Sequence, residues 1–362
     1  MTAAREQRER AGLRVEDGWR YFVHGWSQAI TEVFDVPLAP GGRAVPRRGG
    51  DAMIRTALGD VDAADLGRTD YHEHLFQITP LLPGDELDDE ERGGLEAARL
   101  RAAGVDAMID ATPVGLGRDA EAVARISRST GLRVVLTTGA HRRAHYRDDH
   151  PLLGMDADAL GRLFTAELTE GVRDDSALTT PRPHAPKAGI LKAGIGYWSI
   201  GEFEGRVLEG VARAHRATGA PVMVHLEHGS AAFEVLDALD GLGVPAHRVV
   251  LAHIDRNPDP GLHADLAAAG AYLGYDGMAR HKSWPDSTVL DCLLRTAELG
   301  GADRLLLGGD VARRTRYIAY GGMPGLEYLP ARFVPRLERA AGPDLVRRVL
   351  VDNPARLLDW TS

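Results

Sequence analysis

FEGRVLEGVARAHRATGAPVMVHLEH, residues 203–228, holds the reading on which the fold depends. Phe203, Val207, Leu208 and Val211 recur at the three- and four-residue steps of one helix face. Gly219 followed by Pro221 stops that helix. The next segment, PVMVHLEH (221–228), is apolar and of strand length. One stretch therefore supplies a helix, a stop and a buried strand.

The same alternation runs along the chain. Strand-like runs fall at GRTDYHEHL (67–75), VDAMIDAT (105–112), LRVVLTTGA (132–140), AGILKAGIG (188–196), 221–228, RVVLAHID (248–255), AYLGYDGM (271–278) and DRLLLGGD (303–310). Helical patterns such as EERGGLEAARLRAAG lie between them. Buried strands alternating with helices predict a parallel sheet. Eight such units in one domain's length predict an α/β fold, a closed (β/α)8 TIM barrel, over residues 51–362. An open doubly wound sheet with a small second domain is the alternative.

Residues 1–50 read as an N-terminal extension. APGGRAVPRRGG (39–50) is a linker or irregular loop. WRYFVHGWSQAITEVF before it has the composition of an amphipathic helix. It would cover the active-site mouth, contact the other half of a homodimer, or simply pack on the barrel flank.

The 362 residues carry a formal charge of −9, which argues against a general nucleic-acid or anionic-membrane binder. The chain shows no signal-peptide pattern and no uninterrupted apolar span, so a soluble cytoplasmic protein acting on a small molecule is expected. Its one cysteine, Cys292, allows neither an intrachain disulfide nor a thiolate zinc site. A metal would need His, Asp, Glu or a modified Lys.

In a barrel of this kind, chemistry sits at the C-terminal ends of the strands. The first run delivers His72 and His74 there, one residue apart. On a strand, positions i and i+2 share a face, so both rings would look one way and Glu73 the other. The fourth run brings Lys192, the fifth His225, the sixth His253 and the eighth Asp310. A single histidine at a strand end is ordinarily just hydrogen-bonded. Polar side chains at the same end of five strands point instead to a metal cluster. A buried ammonium beside a cation would be costly, so Lys192 is expected to be neutral or converted to a carbamate, unless it pairs with Asp310.

Taken together, HxH, Lys, His, His and Asp on successive strands resemble the amidohydrolase superfamily, and more narrowly its phosphotriesterase-like branch. MIRTALGDVDAADLGRTDYHEHLF (53–76), TPVGLGRD (112–119), GILKAG (189–194) and NPARLL (353–358) are similar to segments of that branch. The resemblance implies a binuclear hydrolase. His72, His74 and Asp310 would hold an inner divalent ion and His225 and His253 an outer one. N6-carboxylated Lys192 would bridge them together with a hydroxide, which attacks the substrate. Asp310 would carry the proton. Zinc is the expected metal, with Mn, Co or Fe admitted by the same ligands. GIGYWSIG (194–201) lacks the third glycine of a dinucleotide turn, since Ser199 stands there.

The loops after the last three runs are basic. They hold Arg256, then Arg280, His281 and Lys282, then Arg313, Arg314, Arg316 and Tyr317. Gathered cations in an acidic protein suit a phosphate or carboxylate, although some would pair with Asp255, Asp259 or Asp276. DVARRTRYIAYGGMPGLEYL (310–329) resembles a sub-branch that hydrolyses phosphorylated sugar lactones. There Lys282 and Arg313 match the phosphate-gripping positions, Arg316 stands in place of a tyrosine, and Arg314 reads as a solvated neighbour. A promiscuous phosphotriesterase or simple-lactone hydrolase, an N-acyl amino acid amidase, and a metal-bound binding protein without turnover stay open. The basic loop GAHRRAHYRDDH (139–150) has no role assigned from sequence beyond part of a lid.

Overall fold

The computed structural model describes residues 52–175, 178 and 184–360. The chain divides between Gly49 and Gly50 into two units. The aromatic helix and linker expected within residues 1–50 lie outside the described residues.

An antiparallel hairpin comes first, β1 (Met53–Thr56) with β2 (Gly59–Asp62). Eight strands then form one sheet in chain order: β3 (Thr69–Glu73), β4 (Ala107–Asp110), β5 (Arg133–Gly139), β6 (Ala188–Ile195), β7 (Val222–Leu226), β8 (Val249–Ala252), β9 (Tyr272–Tyr275) and β10 (Leu305–Leu307). Every pairing from β3 to β10 is parallel. All eight fall within the runs read from sequence. The seam between β10 and β3 is bridged by the Asp310 N–H, which donates to the His72 carbonyl at 2.8 Å. The result is a nearly closed (β/α)8 barrel.

Helices α1 (Glu90–Ala102), α2 (Ala120–Thr130), α3 (Ala157–Thr169), α4 (Glu202–Thr218), α5 (Ala232–Gly241), α6 (Pro260–Ala268) and α7 (Asp286–Glu298) connect the strands. After β10 come α8 (Val334–Arg347) and α9 (Asn353–Leu358). Asp89, Asp119, Asp156 and Asp259 cap the starts of α1, α2, α3 and α6 by accepting backbone N–H groups. The stop expected at Gly219 is present: it ends α4 with φ 78°, a left-handed cap that a side chain would strain. No helix among the described residues is long and apolar enough to cross a membrane.

Two apolar clusters build the core. One lies inside the barrel, with Ile109, Val135, Ile190, Met223, Val250 and Leu306 in contact. The other fills the space between strands and helices. The hairpin covers the N-terminal end of the strands. Ala57 N–H donates to Val134 O at the start of β5, and Ile54 joins the interior cluster with Leu357 and Leu358 of α9. Gly189 permits this approach, because a Cβ there would stand 2.5 Å from the Arg55 carbonyl. With that end sealed, the C-terminal ends are left to carry the chemistry.

Candidate metal centre

All six residues expected as ligands meet at those ends. His72 lies in β3 and His74 just beyond it; Lys192 is within β6 and His225 within β7. His253 follows the last residue of β8, and Asp310 lies three positions past the end of β10. Both have left-handed backbones, φ 68° and 46°. Such strain needs pinning. His253 N–H donates to Asp276 Oδ2 at 3.2 Å, and Asp310 N–H is held by the His72 carbonyl.

Asp310 Oδ1 stands 3.7 Å from His72 Nε2 and 3.6 Å from His74 Nε2. Metal–ligand bonds of about 2.0–2.2 Å in a tetrahedron put neighbouring donors about 3.4 Å apart. The donor spacing therefore suits one divalent ion. His72, His74 and Asp310 also satisfy the mutual distances of a metal-holding group, as do His72, His253 and Asp276. His225 packs edge-on to His253 with ring centres 4.5 Å apart.

The imidazoles are held neutral, the form a metal needs. Burial pushes His74 down to about 3 and His253 down to about 4. Burial, with His253 and Lys192 adding to it, keeps His225 well below the usual range, and burial also lowers His72. Hydrogen bonds select the tautomers. Thr112 donates its hydroxyl to Phe76 O at 2.7 Å, so it accepts from His74 Nδ1–H, also at 2.7 Å, leaving Nε2 with its lone pair. Asp276 Oδ1 takes His253 Nδ1–H at 2.7 Å, the carboxylate–imidazole arrangement that orients ligands in many metal sites. His72 Nδ1 is buried with no hydrogen-bond partner.

Lys192 forms no ion pair with Asp310. Its Nζ donates to Ala111 O at 2.8 Å and lies 3.3 Å from His72 Nε2. Burial brings this amine down to about 8, against the pull of Asp310, Asp276 and Asp110. Gly139 makes room beside it, since a Cβ there would overlap the Lys192 carbonyl.

The expected substrate cations separate into two groups. Arg256 Nη2 donates to Asp310 Oδ2 at 2.7 Å. Arg280 Nη2 donates to the same oxygen and, at 2.5 Å, to the Asp310 carbonyl. Arg316 Nη1 reaches that carbonyl at 3.4 Å. Burial and the neighbouring Arg280 push Arg316 down to about 10. Burial pushes the Asp310 carboxyl up, yet Arg280 and His253 more than offset this and hold it well below the usual range. Lys282 is exposed, and Arg313, 49% exposed, faces Asp85 Oδ2 at 3.7 Å. Neither is brought to Asp310. Arg314, expected as a solvated neighbour, is partly exposed with its guanidinium over the Tyr320 ring at 4.9 Å. Flat aromatic surface attracts a guanidinium even near water.

Glu73, expected on the face away from its flanking histidines, is fully buried and accepts the Val311 N–H at 2.8 Å, tying β3 to the loop after Asp310. Asp276 is the residue sequence reasoning missed as a site member. It sits one position past β9 and buttresses His253, with Tyr71 OH donating to its other oxygen. Its signal was its place, a strand-end acid like Asp310.

The family model described as the phosphotriesterase family matches residues 52–358. A phospho-furanose lactonase of Mycoplasmopsis agalactiae is 30% identical over 324 residues, covering 85% of this chain and 92% of that protein. The human N-acetyltaurine hydrolase is 25% identical over 353 residues, covering 85% and 98%. The crystal structure of a lactonase from Listeria monocytogenes superposes with a TM-score of 0.79 at 32% identity, covering 86% of this chain and all of that one.

Proposed function

The chain belongs to the phosphotriesterase family, and from that premise we propose that it hydrolyses an anionic lactone, a phosphorylated sugar lactone first among them, at a pair of divalent ions. Its family and relatives make it a metal-dependent hydrolase. His72, His74 and Asp310 would hold one ion and His225 and His253 the other, with carboxylated Lys192 between them. An amine brought to about 8 is partly unprotonated near neutrality, and that is the form that takes up carbon dioxide. Zinc suits the ligands, and Mn, Co or Fe would also be accepted. Such ions supply Lewis acidity for the substrate carbonyl and a water of lowered pKa.

The observation that carries the anionic substrate is the crowding of Arg256, Arg280 and Arg316 around Asp310. Two guanidiniums hold the Asp310 carboxylate and a third reaches its backbone carbonyl, and burial together with the neighbouring Arg280 disfavours the charge on Arg316. A phosphate or carboxylate entering there would relieve that repulsion. The two oxygens of Asp310 then have separate tasks. Oδ1 faces His72 and His74. Oδ2 carries the guanidiniums of Arg256 and Arg280. A bound anion draws those guanidiniums away, and Oδ2 becomes free to accept a proton from water and return it to the leaving oxygen. Lys282 and Arg313, on the same loops, would complete the grip on the phosphate.

Amide hydrolysis of an N-acyl amino acid is the second reading, favoured by the human relative, and the same cations would hold its carboxylate. A panel of phosphorylated lactones, their unphosphorylated counterparts, triesters and N-acyl amino acids, followed with a pH indicator, separates the two. Faster turnover of the phosphorylated lactones is expected. A preference for neutral lactones or triesters refutes the proposal.

A further inference from the structure

The loop after β5 is basic, and hydrolysis as proposed makes no use of it. It runs along the outer side of the centre. His141 packs its ring against His225 with centres 4.5 Å apart, and the His145 ring stacks on His141 at 3.5 Å. Just past β7 the chain turns, and Glu227 comes back toward its own strand, where its Oε2 accepts from His225 Nε2 at 3.1 Å. The same oxygen takes an ion pair from Arg142 Nη2 at 2.8 Å. Arg142 is fixed in turn. Its backbone N–H donates to His141 Nδ1 at 2.7 Å, and the pair abuts β6 at Gly194, where a Cβ would stand 3.2 Å from Arg142 N and from His141 Nδ1.

Neutral imidazole carries one N–H and one lone pair. With Nε2–H committed to Glu227, the lone pair of His225 is on Nδ1. His253 shows the opposite arrangement, its Nδ1 held by Asp276 and its lone pair on Nε2. The two ligands expected to share the outer ion thus present different nitrogens, each set by its own carboxylate.

We infer that Glu227, braced by Arg142, is the positioning residue that fixes the tautomer and ring angle of His225 for the outer metal ion. This rests on the two-ion reading of the centre. Removing an outer carboxylate of this kind lowers metal affinity by about 10- to 100-fold. The loss should fall on one ion only, because His72, His74 and Asp310 do not touch Glu227.

The test is a titration of metal-stripped full-length protein with cobalt(II), in bicarbonate, read by visible absorption and by competition with a chelator. Wild type is expected to take up two equivalents. Glu227→Ala should bind the second about 10- to 100-fold more weakly and the first as before. Arg142→Met should weaken the second equivalent in the same direction by less, and Arg142→Lys should restore it. Thermal unfolding of the metal-free variants should match wild type, as a purely structural role would not predict. A second equivalent bound at wild-type strength by Glu227→Ala overturns the inference, as does equal weakening of both equivalents. A wild type that takes up only one equivalent overturns instead the two-ion reading beneath it.

Discussion

Replacing Arg280 by Met tests the proposed anion site where the structure makes the strongest statement. Arg280 touches both the carboxylate and the carbonyl of Asp310, and its Nε lies 3.4 Å from Asp276 O. Methionine fills much of the same space without charge. If the guanidinium turns to the substrate's phosphate, its loss removes a charge-assisted contact worth about 1.5–3 kcal/mol. At about 1.4 kcal/mol per decade, kcat/KM on a phosphorylated lactone should fall roughly ten- to a hundredfold. The unphosphorylated counterpart never uses that contact and should change by less than about threefold. Asp310 provides a second signature. Arg280 is the leading counterweight to burial at that carboxyl, so its pKa should rise in the variant. A base whose pKa rises is protonated sooner on acidification, so the acid limb of the rate profile should move to higher pH. Lys282→Ala and Arg313→Ala should slow the phosphorylated substrate selectively without moving that limb. Steady-state rates on the matched pair of lactones across pH decide the matter. Equal loss on both substrates, or an unmoved acid limb, would refute the reasoning.

The same geometry sets other outcomes. Purified protein should carry about two divalent ions per chain, and stripping them with chelator should abolish hydrolysis until metal and bicarbonate are returned; metal analysis alongside rates checks this. Asp310→Asn should lose most turnover while keeping metal at His225 and His253, and a wild-type rate would reduce Asp310 to a ligand only. Outside the centre, buried His263 bonds Ile254 O at 3.2 Å and Asn257 O at 3.0 Å, and burial brings it to about 4. Its folded pKa lies below the unfolded value, so between about pH 6.5 and 4 the unfolded chain binds a proton that the folded one refuses. Stability should therefore fall on acidification through that window, by roughly 3 kcal/mol from this group. Denaturant melts of metal-free wild type and His263→Gln should differ in that slope. Arg118→Met should cost about 3–5 kcal/mol, because Glu167, fully buried and 2.6 Å from that guanidinium, would lose its cation. Adding Glu167→Gln should recover part of the loss in the same melts.

The strands were legible because buried parallel strands must be apolar, and eight runs of that kind stand out against helical period. The candidate ligands were legible because His72, His74, His225, His253 and Asp310 lie in the later part of their runs, while Lys192, in the middle of its run, stands out as a charge among apolar neighbours. Their supports were harder to read. Glu227 lies two residues from His225, yet nothing in sequence says that the turn folds back or that Arg142 will meet it. Asp276 ends a run just as Asp310 does, but its partner His253 is 23 residues away and its role depends on which ring nitrogen it faces. The cations divide for the same reason. Arg313 finds Asp85 across more than two hundred residues, a pairing that only the closed barrel creates.

The seam between β3 and β10 joins the first and last strands of the barrel in chain order, and it is the place where His72, His74 and Asp310 meet. A chain emerging from the ribosome has two of these donors early and the third only after the final strand is made. Until then the candidate set of donors is incomplete. Cutting the chain elsewhere and rejoining its original ends would place β10 ahead of β3, with Asp310 124 positions before His72 instead of 238 after it. Such a circular permutant would bring His72, His74 and Asp310 together midway through synthesis, while the barrel itself would still wait for its new last strand to close.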